Sequence, residues 1–94
     1  MNLTKLFKIF SDETRVEVVK HLSNGQCCTC QFEKEINVSQ PTLAYHLKMI
    51  KETGLATTEK VGTWKKYHID NDILDQMIKF LEELKMPEGE KCKC

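Results

Sequence analysis

The sequence contains few of the residues that dominate disordered or fibrous chains, and it has no long hydrophobic run. Only four Gly and two Pro occur among its 94 residues, of which 40% are hydrophobic and 30% are charged, a composition typical of globular proteins. No stretch approaches the ~20 apolar residues of a membrane span, and the amino-terminal segment lacks the continuous apolar run of a signal peptide. We therefore expect a cytoplasmic protein with one folded domain and no membrane partner.

The chain also lacks net charge, because fourteen basic side chains balance fourteen acidic ones. This balance argues against a strongly basic nucleic-acid binder. The charges are nevertheless unevenly distributed, since basic residues are in excess over 1–69 and acidic residues over 70–94. Most of the positive excess lies within 40–69. This segment contains two glutamates and five lysines, namely Lys48, Lys51, Lys60, Lys65 and Lys66. We expect an anionic partner to contact this segment.

The five cysteines lack the spacing of a disulfide-stabilised domain. They are crowded into two short segments, Cys27, Cys28 and Cys30 in one and Cys92 and Cys94 in the other. Consecutive Cα atoms are about 3.8 Å apart, whereas relaxed disulfides join Cα atoms roughly 4.4–6.8 Å apart. Reduced thiols are therefore expected, as in other cytoplasmic proteins.

Apolar residues at helical spacing predict three helices before residue 38. Ser11 is expected to end the first helix and to cap the second, which ends where Gly25 can adopt a left-handed conformation. A short third helix is expected over residues 30–37, with Asn37 and Val38 as a tight turn. The apolar positions that indicate the first two helices are Leu3, Leu6, Phe7, Phe10, Val16, Val19 and Leu22.

A fourth helix is predicted to begin after this turn. Ser39 or Gln40 caps it, Pro41 lies in its first turn, where proline is well tolerated, and Gly54 closes it. Its buried stripe consists of Leu43, Leu47 and Ile50.

The β-branched and aromatic residues of 55–69, with Gly62 between them, predict a β-hairpin. Asp70 then caps a last helix with a wide apolar face. This order predicts a mainly α domain with a β-hairpin, namely a winged helix-turn-helix (α-α-α-α-β-β-α) over residues 1–85, followed by a flexible, cysteine-containing tail over 86–94.

The outer face of the fourth helix carries polar side chains of modest size, as a helix in the DNA major groove does. Hairpin lysines would add contacts to phosphates. Solvated surfaces of proteins that bind no nucleic acid show the same pattern, so the pattern alone leaves both interpretations open. The candidate DNA-binding residues are Ser39, Gln40, Thr42, Tyr45, His46, Lys48, Lys60 and Lys65, with Lys66 beside them.

The cysteines of the first segment are a candidate metal site. Thiolates are soft ligands, and a cysteine cluster without nearby His or paired carboxylates favours soft ions over magnesium or calcium. Free cysteines are also frequently buried as small apolar side chains, although three of them in four positions beside a polar turn fit that alternative poorly.

Several of these segments together resemble the ArsR/SmtB family of metal-responsive repressors. The resemblance is carried by Cys28-Thr29-Cys30, by the run SQPTLAYHL over 39–47, by Gly54-Leu55 and the Gly62 hairpin, and by FSDETR over 10–15. It implies a DNA-binding repressor with no enzymatic activity, in which Ser39, Gln40, Thr42, Tyr45 and His46 contact operator DNA and the hairpin is the wing. It also implies a homodimer formed through the first and last helices, with Leu3, Phe7, Ile73, Met77 and Leu81 at the interface.

Cys-x-Cys at the start of the third helix is similar to the arsenic-sensing branch of that family. The resemblance implies As(III) or Sb(III) as the effector, bound by Cys28 and Cys30, with no organic cofactor. The third thiolate stays open between Cys27, Cys92 and Cys94. Side chains at i and i+2 of a helix point to nearly opposite sides, because successive residues are about 100° apart. We therefore hypothesise that ion binding distorts this helix and lowers DNA affinity.

Other functions remain as alternatives. The resemblance implies that a Cd(II) or Pb(II) sensor would need further Cys ligands in the amino-terminal arm and a Zn(II) sensor His ligands on the last helix. These sensors are less favoured because 1–26 contains no Cys and 70–94 contains no His. A switch based on thiol oxidation is also possible. Cys27 and Cys30 have the spacing of a redox motif, but the elements do not alternate as in a thioredoxin-like unit, so a small thiol oxidoreductase or metal carrier is the least favoured function.

Overall fold

The computed structural model describes residues 2–25 and 34–87. Their elements, in chain order, are α1 (Leu3–Ile9), α2 (Glu13–Ser23), α3 (Gln40–Glu52), β1 (Ala56–Val61), β2 (Trp64–Ile69) and α4 (Asn71–Glu83). Residues 34–36 form one helical turn before α3. The winged helix-turn-helix fold is thereby confirmed, with the predicted helix over 30–37 described only in its last part and the predicted tail only at residues 86 and 87.

Short polar side chains determine where the helices begin. The side chains of Asn2, Asp12, Ser39 and Asp70 each accept a hydrogen bond from a backbone N–H in the first turn of the following helix, which satisfies a donor that has no partner within the helix. The prediction of Ser11 as the cap of the second helix is wrong by one residue. The Ser11 hydroxyl instead donates to the Lys8 carbonyl at 2.6 Å, at the end of α1.

The turn before α3 depends on a left-handed residue. Asn37 has φ +56° and is the only non-glycine residue of the described ranges with positive φ, a conformation that asparagine tolerates better than most residues. The predicted tight turn at Asn37 and Val38 is therefore present. It directs the chain into α3 immediately after the helical turn at 34–36.

The hydrophobic core lies between α1, α2, α3 and the start of the hairpin. The side chains buried below 2% exposure are Leu6, Ile9, Val18, Leu43, Ile50 and Leu55. On α2 the buried residues are Arg15, Val18, Val19 and Leu22, a regular helical stripe that includes the arginine. Of the apolar residues that indicated these helices, Val16 is only partly buried and Phe10 is 36% exposed.

The hairpin is a two-stranded antiparallel sheet. Val61 pairs with Trp64, so the loop consists of Gly62 and Thr63, and Gly62 has φ +62°. A first loop residue with positive φ matches the twist that two-residue hairpin loops require.

The last helix contributes to the core through residues of its first half, up to Met77. Met77 is 5% exposed, and Ile73 packs against the buried cluster. Met77 is therefore buried in the core of its own chain, whereas Ile73, Leu3 and Phe7 are partly buried against it. In the described part of the chain, no helix combines the length and apolarity required to cross a membrane.

Candidate nucleic-acid interface

The buried stripe of α3 holds this helix against the core and leaves its amino-terminal half exposed. Leu43, Leu47 and Ile50 are buried as predicted. Ser39 caps the helix, and its hydroxyl donates to Thr42 Oγ1 at 2.8 Å while accepting from the Thr42 backbone N–H at 3.4 Å. These two exposed hydroxyls are thus presented together at the start of the helix.

The structure places most of the predicted residues of α3 on one solvent-facing surface. Tyr45 is 56% exposed, and the other exposed residues are Ser39, Gln40, Thr42 and Lys48. These are side chains that can reach phosphates or base edges.

His46 is the exception, and its prediction as a surface residue is wrong. It is 6% exposed and lies in the core. Position 46 is three residues after Leu43 and four before Ile50, so it belongs to the same helical face as the buried stripe. The imidazole Nδ1 lies 3.5 Å from Arg15 Nη1, which gives this polar ring a buried partner.

A groove of about 410 Å³ separates α3 from the hairpin. On the α3 side it is lined by Gln40, Lys48 and Lys51, and on the hairpin side by Lys65 and Tyr67, with Leu43, Ala44, Leu47 and Thr58 as further lining residues. None of these lining residues is acidic. Lys51 was not among the predicted binding residues, although its spacing of three residues from Lys48 on the same helix was a usable signal.

The register of the hairpin concentrates positive charge on one of its faces. Lys60 is paired directly with Lys65 across the strands, and like charges in such a pair repel each other. Lys66 follows Lys65 and therefore lies on the other face, where its cross-strand partner is Glu59. Repulsion between Lys60 and Lys65 falls when an anion binds between them, which favours a phosphate ligand at this face.

Tyr67 contributes an uncharged polar group to the same groove. Burial raises the pKa of its phenol above the ordinary value of 10.0, since desolvation disfavours the phenolate. The protonated hydroxyl can donate a hydrogen bond to an anion beside the lysines.

The predicted metal ligands Cys27, Cys28 and Cys30 lie outside the described residues, as do Cys92 and Cys94. Within 2–25 and 34–87, no group of three or more His, Cys, Asp or Glu side chains is arranged to hold a metal ion. The residues on either side of the cysteine segment lie close together, because His21 Nδ1 of α2 is 3.0 Å from Glu35 Oε2 of the helical turn at 34–36.

A winged helix-turn-helix with an exposed polar helix, next to a lysine-lined groove, defines the class of DNA-binding transcriptional regulators. The family model described as bacterial regulatory protein, arsR family, matches residues 12–58. The chain belongs to this family, ArsR/SmtB, whose members are DNA-binding regulators and not enzymes.

Individual relatives agree with this assignment. The chain is 35% identical to an arsenical resistance operon repressor from Staphylococcus aureus, over 98% of this chain and 88% of that protein. It is 34% identical to a cadmium resistance transcriptional regulatory protein CadC homolog from the same species, over 83% of this chain and 65% of that protein. Among solved structures, an ArsR-like transcriptional regulator from Rhodococcus sp. RHA1 superposes with a TM-score of 0.78 and 28% identity, over 87% of this chain and 77% of that one.

Proposed function

We propose that this chain is a repressor that leaves its operator when As(III) or Sb(III) binds to Cys28 and Cys30, with Cys27 as a further thiolate. The observation that carries the proposal is the position of the cysteines between α2 and the helix-turn-helix turn, in a chain related along almost its whole length to an arsenical resistance repressor. Soft thiolates suit a soft, thiophilic ion.

The DNA-contacting surface that we propose consists of the exposed face of α3 together with the inner face of the hairpin. Its residues are Ser39, Gln40, Thr42, Tyr45, Lys48, Lys60 and Lys65, to which we add Lys51 because it lines the groove. Phosphate contacts from the lysines give affinity and register, whereas base contacts from the polar residues of α3 give sequence preference.

The location of the cysteine segment supports coupling between the two sites. Residues 26–33 connect Gly25, at the end of α2, to the helical turn at 34–36, and His21 Nδ1 on one side of this segment lies 3.0 Å from Glu35 Oε2 on the other. A change of conformation in this segment acts on the residues that lead into α3. A coupling of about 1–3 kcal/mol is typical for such paired sites and corresponds to a roughly 5- to 150-fold change in DNA affinity.

Cadmium is the alternative effector, because one relative is a cadmium resistance regulator. Cd(II) is also thiophilic. The two effectors are distinguished by titration with each ion separately.

Fluorescence anisotropy tests the proposal with a labelled operator selected from random DNA by the wild-type protein. Arsenite is expected to release the wild-type protein, and Cys28→Ser with Cys30→Ser to abolish release without weakening DNA binding. The matched control carries Cys92→Ser and Cys94→Ser. Release by Cd(II) alone would assign the site to cadmium, and arsenite release that survives loss of Cys28 and Cys30 would contradict the proposed ligands.

A further inference from the structure

Arg15 is a buried cation on the inward face of α2. It is 8% exposed and is the only arginine in the sequence. Charged side chains are seldom buried unless their hydrogen bonds are satisfied. The contacts of this guanidinium therefore indicate what it does in the fold.

The guanidinium joins two helices that do not follow each other in the chain. Its Nε donates to the Ile9 carbonyl at 3.1 Å and its Nη2 to the Lys8 carbonyl at 3.4 Å, both at the end of α1. Both carbonyls lie at the negative end of the α1 dipole, and the Lys8 carbonyl also accepts from Ser11. Its Nη1 lies 3.5 Å from His46 Nδ1 and 3.6 Å from Met49 Sδ, both on α3.

None of these four acceptors carries a negative charge. The carboxylate of Asp12 binds the backbone N–H of Arg15 and not the guanidinium. Among the described residues, the guanidinium has no ion-pair partner, and burying a charge without one is costly for stability. What an apolar side chain cannot reproduce is the directional set of donors that a planar guanidinium offers.

The α3 residues that contact Arg15 are next to residues of the exposed face. His46 follows Tyr45, and the two rings meet edge to face with centroids 5.4 Å apart. Met49 is likewise the neighbour in sequence of an exposed residue, Lys48. A rotation or shift of α3 that lengthened the contacts to Arg15 would displace Tyr45 and Lys48 by a similar distance, and base contacts tolerate little displacement.

We propose that Arg15 is a positioning residue for DNA recognition, which fixes the rotation and axial position of α3 against the end of α1. The proposal rests on the DNA-binding function given above. Sequence-specific affinity for DNA then depends on Arg15. Non-specific affinity for phosphates comes from surface lysines and does not depend on Arg15.

The test measures binding to the selected operator and to scrambled DNA over a range of salt concentrations. Arg15→Met keeps length and apolar volume, and Arg15→Lys keeps the charge. Both are expected to lose about ten- to hundredfold in operator affinity, with scrambled-DNA affinity and salt dependence unchanged. The matched control is Val19→Ala, which loses packing on the same buried face of α2 and is expected to keep the wild-type ratio of operator to scrambled affinity. Folding of each variant is followed by circular dichroism.

A second pair of variants tests the same contact from α3 and does not need Arg15 to be changed. His46→Asn keeps an acceptor near the place of Nδ1 and is expected to preserve the ratio of affinities, whereas His46→Leu removes it and is expected to lower the ratio. Folded Arg15→Met and His46→Leu proteins with the wild-type ratio would overturn the inference. Wild-type protein without preference for any DNA sequence would instead contradict the repressor function and the inference with it.

Discussion

Gly54, between α3 and β1, has a backbone that side chains seldom adopt. Its φ is +84°, and a Cβ at this position would lie 3.2 Å from Ile73 Cδ1 of α4. Gly62 has φ +62° with nothing near its Cβ position. Both Gly→Ala variants are expected to lose about 1–2 kcal/mol of unfolding free energy from the left-handed backbone, and Gly54→Ala to lose more because of the contact with Ile73. Urea denaturation of both variants measures the difference, and equal losses would contradict it.

Asp12 makes the stability of α2 depend on pH. The N–H of Arg15 that Asp12 accepts is the main reason that the pKa of Asp12 lies below its ordinary value of 3.8. The ionised carboxylate therefore stabilises the folded state above pH 3.8, and this contribution disappears as the pH falls through the lower pKa of the folded protein.

Asp12→Asn is expected to keep the helix cap and to remove this pH-dependent contribution. The wild-type protein should be more stable than the variant at about pH 6, and the difference should become smaller and constant in acid. Urea denaturation of both proteins at several pH values measures it. A difference that stays constant from neutral pH into acid would disprove the role given to the Asp12 charge.

Single residues also explain where sequence reasoning about this protein failed. His46 lies on an apolar helical face, but its polar side chain suggested solvent exposure, and the burial of Arg15 on the inward face of α2 was not predicted either. Each is buried because the other, together with carbonyls at the end of α1, supplies hydrogen-bond partners. Such partners are 31 residues apart in the chain, so periodicity within one helix cannot reveal them. The local signals were reliable by contrast, as the cap at Ser39 and the turn at Asn37 demonstrate.

Among the elements, the hairpin and α3 share one electrostatic surface. The β-branched residues and Gly62 predict the hairpin. Its register then determines which side chains lie on the same face of the two strands. The groove between hairpin and α3 depends on tertiary packing. For that reason the sequence places Lys51 only in the lysine-rich segment of 40–69, whereas the structure assigns it to the groove together with the predicted residues Lys48 and Lys65.

The two faces of the hairpin provide a matched test of this surface. Lys65→Ala is expected to reduce the slope of log K for operator binding against log salt concentration by about one unit, as loss of one phosphate contact does. Lys66→Ala removes the same charge from the next position of the strand, on the face that carries Glu59, and is expected to change the slope much less. Anisotropy titrations at several salt concentrations provide the slopes. Equal effects of the two variants would show that charge alone matters, without a defined groove.

For the whole molecule, the apolar face of α4 extends beyond the core of a single chain. Ile73, Leu74 and Met77 pack against the core, and the same face continues with Ile78, Leu81 and Leu84, which are 50%, 50% and 63% exposed. Phe80 lies beside them, and its ring is 5.7 Å from that of Phe7, so α1 and α4 form one outer surface. Contiguous apolar surface of this kind is typical of an interface.

We propose that a second copy of the chain covers this surface, because a self-complementary patch produces a closed, two-fold symmetric dimer. Leu81→Glu introduces a charge into the proposed interface and is expected to produce monomers, with weaker operator binding because two linked half-site contacts are lost. Gln76→Glu makes the same change of charge on the exposed side of α4 and is expected to leave the dimer intact. Sedimentation equilibrium at micromolar concentrations measures the mass of both variants. A wild-type protein that stays monomeric on its operator would show that α4 has another partner, and a dimeric Leu81→Glu protein would place the interface elsewhere.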